Sequence, residues 1–327
     1  MLTDRFGRVV ESLRISVTDR CNFRCRYCMP EEGMVWLRKE ELLSYEEIIR
    51  LTSVFTSLGV GHIRLTGGEP LLRKELPTLV AGINRVPGVK DIALTTNGFA
   101  LAEQASALSE AGLNRLNVSL DSLNQSTFTA MARRDLLNKV LEGLSAAASL
   151  SFRPIKINAV LIRGMNDNEI GEFVDLARSG KYIVRFIEFM PIGAEDGWSA
   201  EKVLPTHEVL ERIRNLGHEL IPLTPHGPQA AATYRFAGGT GEIGFISSVT
   251  DPFCASCNRV RITSDGHLRT CLFTHHETDL KSLLRNGASD DEIRTIITAA
   301  VWEKDEGHLI NKPGFVRPER TMSQIGG

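Results

Sequence analysis

A chain of 327 residues with a formal net charge of −2 is long enough for one large α/β domain or for two smaller ones. Its 42% hydrophobic and 24% charged residues are ordinary for a globular protein, and the charge balance argues against a broad nucleic-acid-binding surface. No stretch of the sequence is apolar enough to predict a secretory signal or a membrane span. We therefore expect a cytoplasmic enzyme with no nucleic-acid or membrane partner.

Through about residue 190, short strand-like runs alternate with amphipathic helical stretches. Strands are predicted at 12–19, 61–68, 89–98, 113–122, 155–166 and 183–191. Helices are predicted at 44–59, 73–86, 101–112, 124–149 and 167–179. Strands joined by helices pair in parallel with right-handed crossovers, so we predict the α/β class and a partial (β/α)6 TIM-type barrel. An open doubly wound sheet is the alternative, but no GxGxxG follows the first strand to support a dinucleotide fold.

Polar segments follow directly after several of the predicted strands. They read TDRC, TGGEP, TTNG, SLDS and MPIG. Parallel barrels gather their chemistry where strands end and loops begin, so these segments are the predicted location of a site.

Beyond the sixth strand the pattern changes. A linker leads into a helix at 206–216, short strands with glycine-rich turns are predicted over 229–272, and two helices follow at 277–303. The chain ends in TMSQIGG. We therefore predict a barrel domain at 1–195 and a C-terminal region of short strands and helices at 196–327.

The cysteines fall into two groups with none left over. They are Cys21, Cys25 and Cys28 near the start, and Cys254, Cys257 and Cys271 toward the end. In a chain without a secretion signal the thiols stay reduced, so clustered cysteines indicate metal binding or redox chemistry rather than disulfides. Six buried structural cysteines that happen to cluster are the alternative.

The first group, CNFRCRYC, offers three thiolates, whereas a structural zinc site uses four ligands. A cubane iron–sulfur cluster held by three thiolates leaves one iron open to chelate a small molecule. This motif, placed after the first predicted strand, resembles the signature of the radical S-adenosylmethionine (radical SAM) enzymes. The resemblance implies a [4Fe–4S] cluster whose open iron binds S-adenosyl-L-methionine, and a 5′-deoxyadenosyl radical that abstracts hydrogen from a substrate.

Further contacts to S-adenosylmethionine are implied by the same resemblance. The stretch TGGEP, residues 66–70, matches the segment by which the superfamily meets the methionine amino group. The residues that fall at family contact positions are Tyr27, Gly68, Ser119 and Met190. A tight turn at TGGEP and an ordinary packing role for Tyr27 are the alternatives.

The second group, CASCNRVRITSDGHLRTC, again has three cysteines and so indicates a second cluster with an open iron. The alternative is a zinc ribbon completed by a histidine, for which the nearby candidates are His267, His275 and His276. Arg259 and Arg261 would face the same side of a strand, where their forked donors match a polyphosphate.

Other cations are predicted near the strand ends. They are Arg14, Arg64 and Lys156, which with the arginine pair would make a focused anion site in a chain of slightly negative charge. Solvated surface charge is the alternative for any one of them.

These motifs, in this order along essentially the whole chain, resemble the GTP 3′,8-cyclase family, lyases that open molybdenum-cofactor biosynthesis. The resemblance implies two [4Fe–4S] clusters, the second meeting the guanine of GTP, and the product (8S)-3′,8-cyclo-7,8-dihydroguanosine 5′-triphosphate. The implied GTP contacts are Arg14, Arg64, Thr95, Lys156, Arg259, Val260 and Arg261, with the choice between Thr95 and Thr96 open. The implied catalytic residues are Arg14, Arg259, Arg261, Gly326 and Gly327.

The family also implies an external electron donor, a homodimer, and transfer of the product to cyclic pyranopterin monophosphate synthase. The terminal glycines would enter the active site, although a disordered end is the alternative. Two rival functions remain: another radical enzyme that matures a peptide, and a non-enzymatic zinc and nucleic-acid binding module. The first would need no arginine pair, and the second would show a basic face with stacking aromatics.

Overall fold

The computed structural model describes residues 1–192, 197–224 and 230–326. Within them, one sheet has twelve strands. The strands are β1 (Ser12–Ser16), β2 (His62–Thr66), β3 (Asp91–Thr96), β4 (Arg115–Ser119), β5 (Ile155–Leu161), β6 (Ile183–Glu188), β7 (Leu220–Pro222), β8 (Ala232–Phe236), β9 (Glu242–Ile246), β10 (Arg259–Ile262), β11 (His267–Arg269) and β12 (Thr278–Asp279). Their order across the sheet is β12-β11-β10-β1-β2-β3-β4-β5-β6-β9-β8-β7.

The helices lie between the strands and in the C-terminal region. They are α1 (Tyr45–Ser57), α2 (Leu76–Asn84), α3 (Leu101–Glu110), α4 (Gln125–Ala132), α5 (Leu137–Ala148), α6 (Ile170–Arg178), α7 (Thr206–Asn215), α8 (Leu280–Arg285), α9 (Asp290–Trp302) and α10 (Met322–Ile325). None of the helices in the described part of the chain has the length and apolar character that a membrane crossing requires.

Strands β1 to β6 are parallel and stand in chain order, with helices in the connections between them. The sheet does not close on itself, so the predicted partial (β/α)6 barrel is confirmed. The C-terminal region adds one parallel strand at each side of these six, β10 beside β1 and β9 beside β6. The sequence predicts short strands here but not that they extend the barrel sheet.

The division into domains at residue 195 remains a prediction. Residues 193–196 lie outside the described residues, and the C-terminal strands share one continuous sheet with the barrel.

Alternation along the strands separates the core from the concave face. In β5, Ile155, Ile157 and Leu161 are buried, whereas Lys156 and Asn158 on the opposite face are only half-buried. The apolar residues pack under the helices, and the polar ones line the inside of the barrel. The local sequence also fixes where the helices begin. Ser44 caps α1 because its hydroxyl accepts from the Glu47 amide at 3.1 Å and the Glu47 carboxylate accepts from the Ser44 amide at 2.7 Å.

The single helix predicted at 124–149 is instead two helices, α4 and α5. The break is at Arg133, whose φ of 53° is left-handed. Because α4 ends there, its last carbonyls are left without helical partners, and the amides of Arg24 and Arg26 donate to Ala132 and Met131 at 3.0 Å. The carbonyl groups at the end of α4 therefore hold the first cysteine loop against the barrel.

Candidate active site

All six cysteines line one cavity at the carboxyl ends of the barrel strands. Loops that follow β1, β2, β3 and β4 provide one side of this cavity, and the C-terminal region provides the other. The parallel strands bring their carboxyl ends to one edge, which is why segments far apart in sequence meet here. The two predicted cysteine groups are thus brought together.

The first cysteine loop is wound tightly at the mouth of β1. Its three thiols are free, and the amide of Cys28 donates to the carbonyl of Cys25 at 2.9 Å. The sulfur of Cys21 accepts from the Phe23 amide at 3.4 Å and from Asn97 Nδ2 at 3.9 Å. Hydrogen-bond donors that point at a cysteine sulfur stabilise a thiolate bound to a cluster. The loop therefore suits the [4Fe–4S] cluster that its sequence implies.

The spacing of the ligands also bears on the kind of metal site. No group of three His, Cys, Asp or Glu side chains in the described ranges is placed to hold a single metal ion. A four-iron cluster needs no such convergence, because each thiolate binds a different iron. The histidines of the zinc-ribbon alternative have other neighbours: His267 lies 3.3 Å from Asp265, and the His275 ring lies 3.2 Å from the carbonyl of Val316. His275 and His276 do line a second cavity together with Cys254 and Cys271.

The TGGEP segment lies against the backbone that enters the first cysteine loop. The Gly68 amide donates to the Thr18 carbonyl at 2.8 Å, and the Glu69 amide donates to the Arg20 carbonyl at 2.7 Å. A β-carbon on Gly68 would lie 2.3 Å from that Arg20 oxygen, so only glycine permits the approach. The buried Glu69 carboxylate accepts from Thr96 Oγ1 at 2.7 Å and from the Asn97 amide at 2.6 Å. This segment therefore joins the ends of β1, β2 and β3 into one rigid rim.

Tyr27 has a partner that the sequence analysis did not single out. Its hydroxyl donates to Asp121 Oδ2 at 2.7 Å, and Asp121 Oδ1 accepts from the Val160 amide at 2.9 Å. Burial raises the pKa of Asp121 to about 6. Tyr27, Ser119 and Met190, whose contact with S-adenosylmethionine remains a prediction, all line the cavity. The SLDS motif after β4 was the available signal for Asp121.

Three of the predicted cations form a row across three neighbouring strands. Arg14 on β1 is in register with Arg64 on β2 and with Arg261 on β10. Burial and neighbouring guanidinium groups lower the pKa of Arg64 and that of Arg261 to about 9, and they lower that of Arg14 as well. Arg14 Nε is buried and has no hydrogen-bond partner in the described residues. Such a concentration of buried positive charge is a site prepared for an anion.

The two threonines left open by the sequence have different neighbours. Thr96 is buried and its hydroxyl is bonded to Glu69, whereas Thr95 Oγ1 lies 3.4 Å from a guanidinium nitrogen of Arg64. Thr95 therefore faces the cation row. Val260 is fully buried, so only its backbone is left to face a ligand.

One cation of the site was missed. Arg185 on β6 lines the cavity and donates to Asn158 Oδ1 at 2.9 and 2.7 Å. Its charge lowers the pKa of Lys156, after the larger effect of burial, to about 7. The alternation of β5 and β6 could have shown that Lys156, Asn158 and Arg185 face the same side, but single arginines in strands carry no motif.

The C-terminal tail ends inside the barrel mouth. The Met322 amide donates to the Cys28 carbonyl at 3.2 Å, and the Gly326 carbonyl accepts from Arg261 at 2.5 Å. Gly326 has a φ of 83° and packs against Ser16. The predicted approach of the tail to the site is therefore observed as far as Gly326, while Gly327 lies outside the described residues.

Comparison with known proteins identifies the superfamily and then the family. Residues 15–177 match the model described as "Radical SAM superfamily", and residues 182–310 match "Molybdenum Cofactor Synthesis C". The structure of Streptococcus suis SuiB bound to S-adenosylmethionine superposes with a TM-score of 0.62 at 14% identity, covering 96% of this chain and 77% of that one. That similarity shows a shared fold. The matched domains and the site define a radical SAM protein.

Two relatives narrow the assignment. The GTP 3′,8-cyclase of Streptomyces coelicolor is 45% identical over 100% of this chain and 96% of its own length. The GTP 3′,8-cyclase of Thermodesulfovibrio yellowstonii is 44% identical over the whole of both chains. The chain belongs to the GTP 3′,8-cyclase family, and the predicted family is confirmed. Two [4Fe–4S] clusters and S-adenosylmethionine are accordingly its cofactors.

Proposed function

We propose that this chain converts GTP into (8S)-3′,8-cyclo-7,8-dihydroguanosine 5′-triphosphate, the first step of molybdenum-cofactor biosynthesis. The observation that carries the proposal is that both cysteine triads and the buried arginine row border one cavity. A radical SAM site alone would need the first triad only. The second triad beside a concentration of guanidinium groups adds a place for a nucleotide triphosphate.

The first triad, Cys21, Cys25 and Cys28, holds the cluster whose open iron binds S-adenosylmethionine. With one electron, the bound cluster and cofactor would supply the 5′-deoxyadenosyl radical that takes hydrogen from the ribose 3′ carbon of GTP. The bond from this carbon to guanine C8 would then be completed by a second electron from the external donor and a proton, which give the 7,8-dihydro product. The protein fixes the cofactor between the TGGEP rim and the Tyr27–Asp121 pair, and it excludes solvent from the cavity.

The second triad, Cys254, Cys257 and Cys271, would hold the second cluster, whose open iron would offer a binding position for the guanine. The triphosphate is bound by the cations of the barrel interior. Five of them line the cavity, namely Arg14, Arg64, Arg185, Arg259 and Arg261, and they are assisted by Thr95 and by the backbone at Val260. Lys156 is not among the described residues that line the cavity, but it lies on the same face of β5 as the lining residue Asn158. Bound phosphates would offset the mutual repulsion of these cations, which favours a polyanion over a neutral nucleoside.

GTP affinity is expected to depend on pH through Lys156, because its pKa is lowered to about 7 by burial and by Arg185. Below pH 7 the Lys156 ammonium is charged and can bind phosphate. Above pH 7 the amine is mostly neutral, and it must take up a proton when GTP binds. Affinity therefore falls as the pH rises from 7 to 9, with net proton uptake on binding. Calorimetry in buffers of different ionisation enthalpy measures this uptake.

Matched variants distinguish proton uptake by Lys156 from proton uptake by GTP itself, because the ionisation of free GTP is the same whichever variant binds it. Lys156→Arg keeps its charge over this range and should flatten the pH profile. Lys156→Met should bind GTP more weakly at pH 6.5 and show less uptake at pH 8.5. A wild-type profile in Lys156→Met would remove Lys156 from the triphosphate site.

The tail is proposed to order the active site, and Gly326→Ala tests this. A β-carbon there would lie 2.1 Å from Ser16 Oγ and 3.0 Å from Thr66 Cγ2, and the left-handed φ of 83° adds backbone strain, so the Ser16 side chain or the tail must shift. Cyclisation of GTP should fall by roughly 100-fold, a loss typical of a misplaced active-site element. Assays of turnover compare it with deletion of Gly326 and Gly327.

Gly314→Ala is the matched control for the tail. Gly314 has nearly the same φ, 84°, but nothing lies within 4 Å of a β-carbon placed there. It shares the backbone strain of the Gly326 substitution without the collision and should retain most activity. Unchanged turnover after deletion of the two terminal glycines would contradict a role for the tail.

The cellular setting of the reaction is also proposed. We expect a cytoplasmic homodimer, reduced by an external electron donor, which passes its product to cyclic pyranopterin monophosphate synthase. None of these partners is needed for the central test.

That test is an iron and sulfide assay on anaerobically reconstituted protein, followed by turnover with GTP, S-adenosylmethionine and a reductant. About eight irons per chain, formation of 5′-deoxyadenosine and the cyclic product are the expected results. About four irons with one zinc would keep the radical chemistry but argue against the second cluster. The product is identified by mass spectrometry, with ATP in place of GTP as the control substrate.

A further inference from the structure

The turn that carries Cys254 and Cys257 is held by two buried cations from distant parts of the chain. Arg8 donates to the carbonyl of Cys254 at 2.9 Å. Lys304, just after α9, donates to the carbonyls of Cys257 and Arg259 at 3.0 and 2.9 Å. Both cations thus reach the same short turn from outside the cysteine motif.

The two cations differ in how their charge is balanced. The Arg8 guanidinium forms an ion pair with the buried Asp4 carboxylate at 2.6 Å. Lys304 is only 2% exposed, and its recorded partners in the described part of the chain are the two carbonyls and the sulfur of Cys257, at 3.6 Å. A buried ammonium without a carboxylate is costly unless another anion lies beside it. Among the described residues, the sulfur of Cys257 is the hydrogen-bond partner of Lys304 that can carry a negative charge.

We propose that Lys304 is a positioning residue for the second cluster, supplying, beside Arg259, a buried positive charge that helps to balance its thiolate at Cys257. This rests on the proposed function, which makes Cys257 a cluster ligand. Lys304 also donates to the backbone carbonyl of Arg259. It thereby fixes the backbone from which the Arg259 side chain extends into the cavity. One side chain thereby couples the cluster to the first residue of the GTP-binding pair.

The charge has a redox consequence. Reduction adds one negative charge to a cluster, and a nearby ammonium or a hydrogen bond to sulfur stabilises the reduced form more than the oxidised form. Lys304 therefore raises the reduction potential of the second cluster relative to the same site without it. The first cluster, held by a different loop, is not expected to respond.

The test is a redox titration, followed by electron paramagnetic resonance, of the anaerobically reconstituted full chain as wild type, Lys304→Met and Lys304→Arg. The signal that changes when S-adenosylmethionine is added belongs to the first cluster. In Lys304→Met the midpoint potential of the other signal should shift negative, while the first stays in place and GTP binds more weakly. Lys304→Arg, which keeps the charge, should restore most of the potential.

Lys281→Met is the control for removing a partly buried ammonium. The Lys281 ammonium donates to the carbonyl of Glu41 at 2.8 Å and should leave both potentials unchanged. If Lys304→Met loses the second cluster, retention by Lys304→Arg supports the proposal, whereas equal loss in both overturns it. An unmoved second midpoint in an iron-replete Lys304→Met protein overturns it too. Wild-type protein with only about four irons would overturn the proposed function as well, which distinguishes the two failures.

Discussion

Replacing both Arg259 and Arg261 with alanine is expected to weaken GTP binding by roughly 100-fold or more, since each charge-assisted hydrogen bond contributes about 1.5–3 kcal/mol. Arg261 is buried in the cation row and Arg259 is in register with Ser12 on the neighbouring strand. Neither is a cysteine, so the iron content should stay at the wild-type level. Equilibrium binding of GTP and an iron assay on the same preparation measure the two effects separately.

The control is a double alanine variant at two other arginines, which removes the same amount of positive charge. Arg178 and Arg235 are about half exposed, and each lies within ion-pair distance of a carboxylate at the surface. The double alanine variant at these two positions should bind GTP as the wild type does. Retained affinity in the Arg259 and Arg261 variant would count heavily against a triphosphate at this site. Loss of iron would instead show that the guanidinium of Arg259 supports its neighbour Cys257.

The sequence was sufficient for the features that depend on local pattern. Period-two strands, capped helices such as α1, and the spacing of three cysteines follow from residues close together in the chain. Arg259 and Arg261 could be assigned to one face of a strand for the same reason. The choice between Thr95 and Thr96 could not be made, because it depends on how β3 sits between β2 and β4.

Features that depend on distant pairing were harder to predict. Nothing local indicates that β10 would lie beside β1, which is what places Arg261 next to Arg14. Nor does the sequence show that Lys304 would reach the turn at Cys257, since a lone lysine after a helix is ordinarily a solvated charge. Tertiary contacts, formed only when the sheet is assembled, define the environment of Asp121, Arg185 and Lys304. The break between α4 and α5 likewise reflects a tertiary demand, the anchoring of the cysteine loop.

Gly68→Ala is expected to reduce binding of S-adenosylmethionine and formation of 5′-deoxyadenosine by roughly 100-fold. A β-carbon at this position would lie 2.3 Å from the Arg20 carbonyl oxygen and 2.4 Å from that of Asp19. Both obstacles are backbone atoms, so no side chain can rotate aside, and the TGGEP segment must move away from the first cysteine loop. Uncoupled cleavage of S-adenosylmethionine by the reduced enzyme, without GTP, isolates this effect from the nucleotide site.

Gly171→Ala on α6 is the matched control, because the nearest atom to its β-carbon is Leu216 Cδ1 at an ordinary 3.7 Å. It should leave cofactor binding and cleavage unchanged and, as a glycine replaced within a helix, should be neutral or slightly stabilising. GTP binding at the second triad should persist in Gly68→Ala, since Arg259 and Arg261 lie on β10 and not on the strand that the TGGEP segment follows. Wild-type affinity for S-adenosylmethionine in Gly68→Ala would show that the cofactor does not depend on this close approach, and the role of the TGGEP rim would have to be abandoned.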